Sequence, residues 1–380
     1  MRTLFFTILL ALFGAHAAVA ITHHVPSEYF TIQAALDASV YRDTVAIASG
    51  VYSGEGNINL NVWVPIVVRS ESENPADVII DGENRQARAC ISHAGFDLRG
   101  VTLTRFNSDM ADGTYGVFLN NVSRESAIIN CIISECRGGV VYVGPFSNSK
   151  IYIWHSVIEN NSVDVTGRGL ITCKNSGSVF LWDTVIRNNH GEGPGVVLLL
   201  DNATTTIERC IIADNSTTSG DAATIYAHTG GSLFITYTSI INNGATGIAC
   251  TSLPTRLNNV TVAGNLFNPS PGGSGIVAKW SSLALDHSIV WGNLGGPDIQ
   301  LTSETLDAAC SDFPGAPTVG YNISTDPMFC DPANGDYRLR DVSPALTHVY
   351  GPMGFAPEPG CSTPTSVQPT TWGAIKTLYR

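Results

Sequence analysis

The sequence predicts an all-β protein wound as a parallel β-helix, with three short strands in each coil and an asparagine ladder along one corner. Two observations lead there. A six-residue motif returns through the chain, as in Ser156-Val157-Ile158-Glu159-Asn160-Asn161 and Ser288-Ile289-Val290-Trp291-Gly292-Asn293. Its six copies end at Asn161, Asn189, Asn215, Asn243, Asn265 and Asn293, which stand 28, 26, 28, 22 and 28 residues apart. That period is typical of solenoid repeats. Around each copy lie runs of four or five β-branched or aromatic residues bounded by turn residues, which read as strands rather than helices. A seventh copy, Cys131 to Cys136, carries cysteine in the asparagine's place.

Composition excludes other classes. The chain has 380 residues, with 32 acidic against 20 Lys and Arg, a formal net charge of −12. A nucleic-acid-binding surface would need a basic face, so no nucleic-acid partner is expected. Only 14% of residues are charged and 44% are hydrophobic, which excludes bulk disorder. The Ala/Glu/Lys/Leu richness of a helical bundle is missing.

The elements follow in order. Residues 1–20 read as a secretory signal peptide: Arg2, an apolar run from Leu4 to Phe13, then the small-residue site Ala18-Val19-Ala20. The mature chain would begin at Ile21 and be secreted or held at the cell surface. No later stretch approaches the ~18 consecutive apolar residues of a membrane span. His23 and His24, at the mature N-terminus, are expected to be exposed. Thr31 to Ala38 has the pattern of a short amphipathic helix with Thr31 as N-cap. It would form an N-terminal helical cap over the open first coil, whose strand edges would otherwise be unpaired. Runs at Thr44 to Ala48, Val62 to Val68 and Val78 to Ile80 begin the strand pattern.

Further on, most repeats hold one run before the motif (Ile151 to Trp154, Val179 to Trp182, Leu233 to Thr236), one within it, and one after (Leu170 to Cys173, Val196 to Leu200, Thr224 to Ala227). Coils stack ~4.8 Å apart, so equivalent residues form ladders along the axis. The ladder asparagines are expected to take the left-handed conformation at a tight turn and to hydrogen-bond through their amides one coil away. Residues 21–300 are assigned to the β-helix with its cap and 301–361 to a C-terminal closing region. Residues 362–380 read as a Ser/Thr/Pro-rich linker and short tail.

The ladder, together with Ile32-Gln33-Ala34-Ala35-Leu36 and Asp43-Thr44-Val45 at the start, resembles the secreted right-handed parallel β-helix proteins of the pectate-lyase-like superfamily. The resemblance covers about residues 25 to 345. Asp326-Pro327-Met328-Phe329-Cys330-Asp331, Gly335 to Leu339 and Ser343-Pro344 are similar to the tail that closes many bacterial members. Trp372 to Arg380 is similar to the segment preceding C-terminal sorting domains in some exported bacterial proteins, and equally reads as a frayed terminus. The superfamily mixes lyases, hydrolases and non-enzymes, so the resemblance implies a fold more than an activity.

Polygalacturonase-like Asn-Thr-Asp, Asp-Asp, Gly-His-Gly and Arg-Ile-Lys motifs are absent from the chain. Leu285-Asp286-His287-Ser288 is similar to the Ile-Asp-His motif of pectate lyases, whose aspartate helps hold calcium, but the later Arg-x-Pro-x-x-Arg is absent. An Asp-His pair at a coil corner reads first as a turn, so no metal site is expected and Asp286 is a weak candidate only. No cofactor is expected, calcium entering only with a lyase reading. Ladder geometry offers a motif-free candidate. His155, Asp183, Glu208 and Arg209 fall in one patch on consecutive coils, where Asp183 and Glu208 beside Arg209 could abstract a proton and stabilise an enolate. The plainer reading is solvated surface charge.

The same alignment places Tyr152, Trp154, Phe180, Trp182 and Phe234 outward on one sheet, a strip suited to stacking on sugar rings. A fold-over of the Gly295 to Pro317 segment would bury them instead. Of nine cysteines, Cys131 and Cys210 read as core ladder members. Cys310, Cys330 and Cys361 lie where a disulfide would help close the solenoid, with the pairing open and the odd count leaving a free thiol. The leading functional expectation is a monomeric, non-catalytic extracellular protein presenting a face to polysaccharide or cell-surface glycan. The alternatives are a pectate-lyase-like lyase or glycoside hydrolase and a purely structural surface protein.

Overall fold

The computed structural model describes residues 20–362, apart from 109–117, 121–124, 144–148, 165–167, 175, 218–221, 267–274 and 303–304. The expected signal peptide, apart from Ala20, and the tail beyond Ser362 lie outside the described residues.

The described chain is a right-handed parallel β-helix. Its three parallel sheets hold twelve, ten and ten strands, and from Thr44–Ile47 to Leu306–Ala309 successive strands of the chain fall in different sheets. Sheet I holds the run before each motif, such as Lys150–Trp154, Ser178–Trp182 and Thr204–Glu208; sheet II holds the motif itself, such as Val157–Glu159 and Val185–Arg187. Sheet III holds the run that follows, such as Ile171–Cys173 and Gly195–Asp201. One face of each strand fills a core of Val, Ile and Leu that runs the length of the solenoid. The period-2 alternation of a strand is what puts Ile151 and Ile153 inside while Tyr152 and Trp154 stand out. The run Val62 to Val68 is two strands rather than one, Leu60–Val62 and Val67–Ser70. Pro65 separates them, since it cannot donate to a ladder.

Corners are made by left-handed residues. Asn130, His155, Asp183, Arg209, Tyr237, Asn259, His287 and Cys310 hold positive φ between sheets I and II. After sheet II the left-handed residue is Asn160, Asn188, Asp214, Asn242, Gly264 or Gly292. It therefore precedes the ladder asparagine, and the expectation that the ladder residue itself is left-handed is corrected. The ladder otherwise stands as expected. In Asn161, Asn189, Asn215, Asn243 and Asn265 the amide nitrogen donates to Oδ1 of the next ladder residue at 2.9–3.0 Å. Each also donates to a backbone carbonyl of the preceding coil, as Asn215 does to Ile186. Asp298 ends the ladder by accepting from Asn293 Nδ2 at 2.6 Å. Cys136, in the seventh copy, receives Asn161 Oδ1 at its backbone N–H.

At the N-terminal end a helix spans Ile32–Ala38, and the Thr31 side chain accepts from Ala34 N–H. Ile32, Ala35 and Leu36 are buried. Gln33 accepts from Asn61 N–H and donates to Asn61 O, so it serves the terminal strand of sheet III. His23 is not exposed. It is buried, with Nε2 3.0 Å from Asp43 Oδ2, and Asp43 also accepts from the Ile21 and Val40 backbones.

The parallel ladder runs on past residue 300 to Leu306–Ala309. The region from there on divides. Phe313 and Ala316 pack against the main core, whereas the hairpin Phe329–Asp331 and Asp336–Leu339 folds back on sheet II. There Phe329, Tyr337, Leu339 and Met353 bury Ala213, Ile241, Ala263 and Ile289. Gly264 is required at that seam, because it is left-handed and any Cβ would strike the Tyr337 hydroxyl. Cys330 and Cys361 form the disulfide; the other seven cysteines are free and buried, Cys310 among them.

Candidate functional site

Sheet I brings most of the expected site residues together. Its register aligns Tyr152 with Phe180 and Trp154 with Trp182, and continues the second column through Glu208, Thr236, Asn258 and Asp286. Tyr152 and Phe180 stack at 4.8 Å between ring centroids, 12° from parallel. Trp182 tilts against both at 5.8 and 5.9 Å and meets Trp154 edge-on at 6.3 Å. Tyr152, Phe180 and Trp182 are half-buried, whereas Trp154 is 40% exposed. Phe234 does not join the cluster. It lies on the same column two coils beyond Phe180, with Thr206 between them. The Gly295 to Pro317 segment does not fold over the strip; its strands, Ile299–Thr302 and Leu306–Ala309, extend sheets III and I at their far ends.

The charged patch forms beside these rings. Arg209 binds Asp183 with two parallel contacts, Nε to Oδ1 at 2.7 Å and Nη2 to Oδ2 at 3.0 Å, and its Nη1 donates to Glu208. Trp154 Nε1–H donates to Asp183 Oδ2 at 3.0 Å, while His155 Nδ1 lies 3.9 Å from that oxygen. The Arg209 guanidinium, with the Trp154 indole, holds the Asp183 carboxyl below the usual carboxylate range, and Arg209 is correspondingly held protonated. A general base needs an affinity for protons near working pH and a free lone pair. Asp183 has the opposite bias, with both oxygens engaged. What this arrangement does chemically is fix the guanidinium and the exposed Trp154 ring in place.

Two open depressions lie elsewhere. One of about 450 Å³ is lined by Gln33, Glu55, Asn59, Asn61 and Arg85, and one of about 530 Å³ by Trp291, Met328, Phe329, Pro332 and Tyr337. The expected site residues line neither. Near the first, Trp63 stacks on His93 at 3.9 Å and 5°, a pair that the repeat pattern did not flag because it falls before the first regular motif.

Asp286 is placed on the same column as Trp182. Its oxygens are engaged by His287 Nδ1 at 2.8 Å and Asn258 Nδ2 at 3.3 Å. Calcium takes about six to eight oxygen ligands. The ligand group that gathers here among the described residues is Asp286, His287 and Cys310, so the surroundings of Asp286 do not fit calcium.

With this geometry in hand, the comparisons bear on the fold. Residues 115–293 match the family model of the right handed beta helix region. The structure is similar to that of pectate lyase Pel9A, at 12% sequence identity, over 83% of this chain and 85% of that one, with a TM-score of 0.52. It is also similar to the pectin methylesterase from Aspergillus niger (12% identity, 82% and 91% covered, TM-score 0.37) and to the exopolygalacturonase from Thermotoga maritima (8%, 74% and 81%, 0.29). No curated protein matches the chain. The protein has the right-handed parallel β-helix fold. The family match and the Pel9A likeness establish the fold alone.

Proposed function

We propose that this is an exported, non-catalytic β-helix protein, monomeric and secreted or held at the cell surface, that binds polysaccharide on sheet I. The observation that carries the reading is the four-ring cluster of Tyr152, Trp154, Phe180 and Trp182, with the exposed Trp154 held in orientation by Asp183. Rings fixed on a rigid sheet lose little entropy on binding, and a flat apolar face beside polar groups suits the apolar face of a sugar. Asp183 and Glu208 beside the rings, and the net charge of −12, favour a neutral glycan over a polyuronate. Among the described residues no helix is long and apolar enough to cross a membrane. The β-helix of pectate lyase Pel9A, named for a polysaccharide substrate, lends the reading weight by analogy alone.

The test is a Trp154→Ala/Trp182→Ala variant with native circular dichroism. Loss of two stacking rings is expected to weaken glycan binding by about 5- to 150-fold, since each ring pair contributes roughly 0.5–1.5 kcal/mol beyond area burial. Unchanged binding by the folded variant would remove the strip from the account. The lyase or hydrolase reading keeps one observation in its favour, the meeting of Asp183, Glu208 and Arg209. It predicts that Glu208→Gln abolishes turnover.

A further inference from the structure

The failure of Asp286 to fit calcium has a positive counterpart. His287 and Cys310 hold the same left-handed corner position in successive coils, and Asp286 ends the strand just before His287. The one-coil spacing therefore brings an oxygen, a nitrogen and a sulfur donor together. The ligand atoms of all three residues lie within 4.8 Å of one another.

The contacts around His287 fix the orientation of its ring. Nε2 stands 3.0 Å from the Tyr350 carbonyl oxygen. A carbonyl only accepts, so Nε2 carries the proton and donates it. Nδ1, the other ring nitrogen, faces Asp286 Oδ1 at 2.8 Å. That contact turns the ring edge to the carboxylate, in the group whose oxygen, nitrogen and sulfur atoms lie within 4.8 Å of one another. A histidine whose outer nitrogen is tied to a carbonyl, with the inner one turned to a carboxylate and a thiol, is the usual outer support of a metal-ligating imidazole. Other contacts hold the frame independently. Asn258 Nδ2 donates to the second Asp286 oxygen at 3.3 Å, and Gly354 N–H donates to the His287 carbonyl at 2.7 Å. The Cys310 side chain is buried beside the pair.

We infer that Asp286, His287 and Cys310 form a three-ligand site for a divalent transition-metal ion, with zinc the ion that matches the donors. One carboxylate, one imidazole and one thiolate suit a borderline ion with tetrahedral preference, not the hard, oxygen-loving calcium or magnesium. Three protein ligands are one fewer than a closed structural site, so the fourth position falls to water or another small ligand. The site lies four coils along the same column from Trp182, roughly 19 Å at coil spacing. It is therefore independent of the glycan proposal.

The test uses the mature chain, freed of metal by a chelator, and reads Zn²⁺ binding by competition with a chromogenic chelator and Co²⁺ binding by absorbance. A single high-affinity zinc ion is expected, together with a thiolate-to-cobalt charge-transfer band. Cys310→Ser is expected to remove that band and weaken zinc by about 10–100-fold, and His287→Gln to weaken zinc to a similar extent. Because Cys310 is buried, the solvent-reachable His287→Gln variant keeps the test valid if Cys310→Ser does not fold. The inference is overturned if the chain takes up no zinc or if the folded His287→Gln variant retains it unchanged. Calcium binding here without the cobalt–thiolate band would overturn it as well.

Discussion

Trp154 and Asp183 are joined across one coil: the indole Nε1–H donates to Asp183 Oδ2 at 3.0 Å, while Arg209 grips the same carboxylate from the next coil. A residue whose position suggested a base is thereby an anchor for an exposed aromatic ring. Removing the anchor should matter even without chemistry. Asp183→Ala is expected to free the Trp154 rotamer and weaken glycan binding by about 3–10-fold, ordering the ring on binding costing roughly 0.5–1.5 kcal/mol. Equal binding by the folded variant would show that the anchor is idle.

The pH dependence follows from the same contact. The Asp183 carboxyl is held below its usual range by Arg209 and Trp154. Its contribution is complete above the unfolded carboxylate value, about 3.9, and is lost as pH falls through the lower folded value. Glycan binding should therefore be flat from pH 8 down to about 4 and drop only in stronger acid. A midpoint near neutrality would mean that another group controls the site.

The asparagine ladder makes a contrast between adjacent positions. Asn215→Ala leaves the Asn189 amide and the Ile186 carbonyl without their buried partner, and should cost about 2–4 kcal/mol in denaturant unfolding. Asp214→Gly, at the left-handed position just before it, should change stability by no more than about 1 kcal/mol. If the two variants were equally harmful, the ladder bonds would not be what holds the corner.

Asp312 provides a pH-dependent element of stability. It is fully buried, Oδ1 accepts from Thr325 N–H at 3.1 Å, and Oδ2 has no hydrogen-bond partner among the described residues. Burial raises its pKa to about 7. A raised folded pKa means stability that is complete below the unfolded value and lost as pH rises toward 7. Asp312→Asn should therefore be more stable than wild type at pH 8, by roughly 1–4 kcal/mol, with the gap closing near pH 4. Parallel pH–stability curves for the two proteins would contradict this.

Six free cysteines, Cys90, Cys131, Cys136, Cys173, Cys210 and Cys250, lie inside the main core. Burial pushes the Cys131, Cys136, Cys173 and Cys210 thiols up to about 12. Thiol reagents at pH 8 should leave these six untouched in the native protein and reach them only on unfolding. Rapid native labelling of Cys131 or Cys210 would contradict the solenoid packing. Reduction of Cys330–Cys361, which spans 31 residues, should lower stability by about 3–4 kcal/mol.

What was legible in the sequence was whatever repeats. The coil period placed Asn161 through Asn293 in register and set Trp154 over Trp182, because each coil must reproduce the same strand and corner. Within the Asn160-Asn161 pair the pattern could not say which residue turns left-handed, since asparagine suits both roles. Asp298 and Asp312 fall outside the motif, so their roles as ladder terminus and buried carboxyl had no periodic signal. His287 meets Tyr350 only because the chain folds back, 63 residues later. Phe234 was grouped with the aromatic strip because alternation sets a face, but it does not say that Thr206 intervenes.

The most direct measurement is a polysaccharide panel, neutral and acidic, applied to the purified mature chain with and without calcium, and read for binding and for unsaturated or reducing products together. Saturable binding of a neutral glycan with no product in either condition is the predicted result. Product formation would contradict the non-catalytic account and return Asp183, Glu208 and Arg209 to the centre of the site.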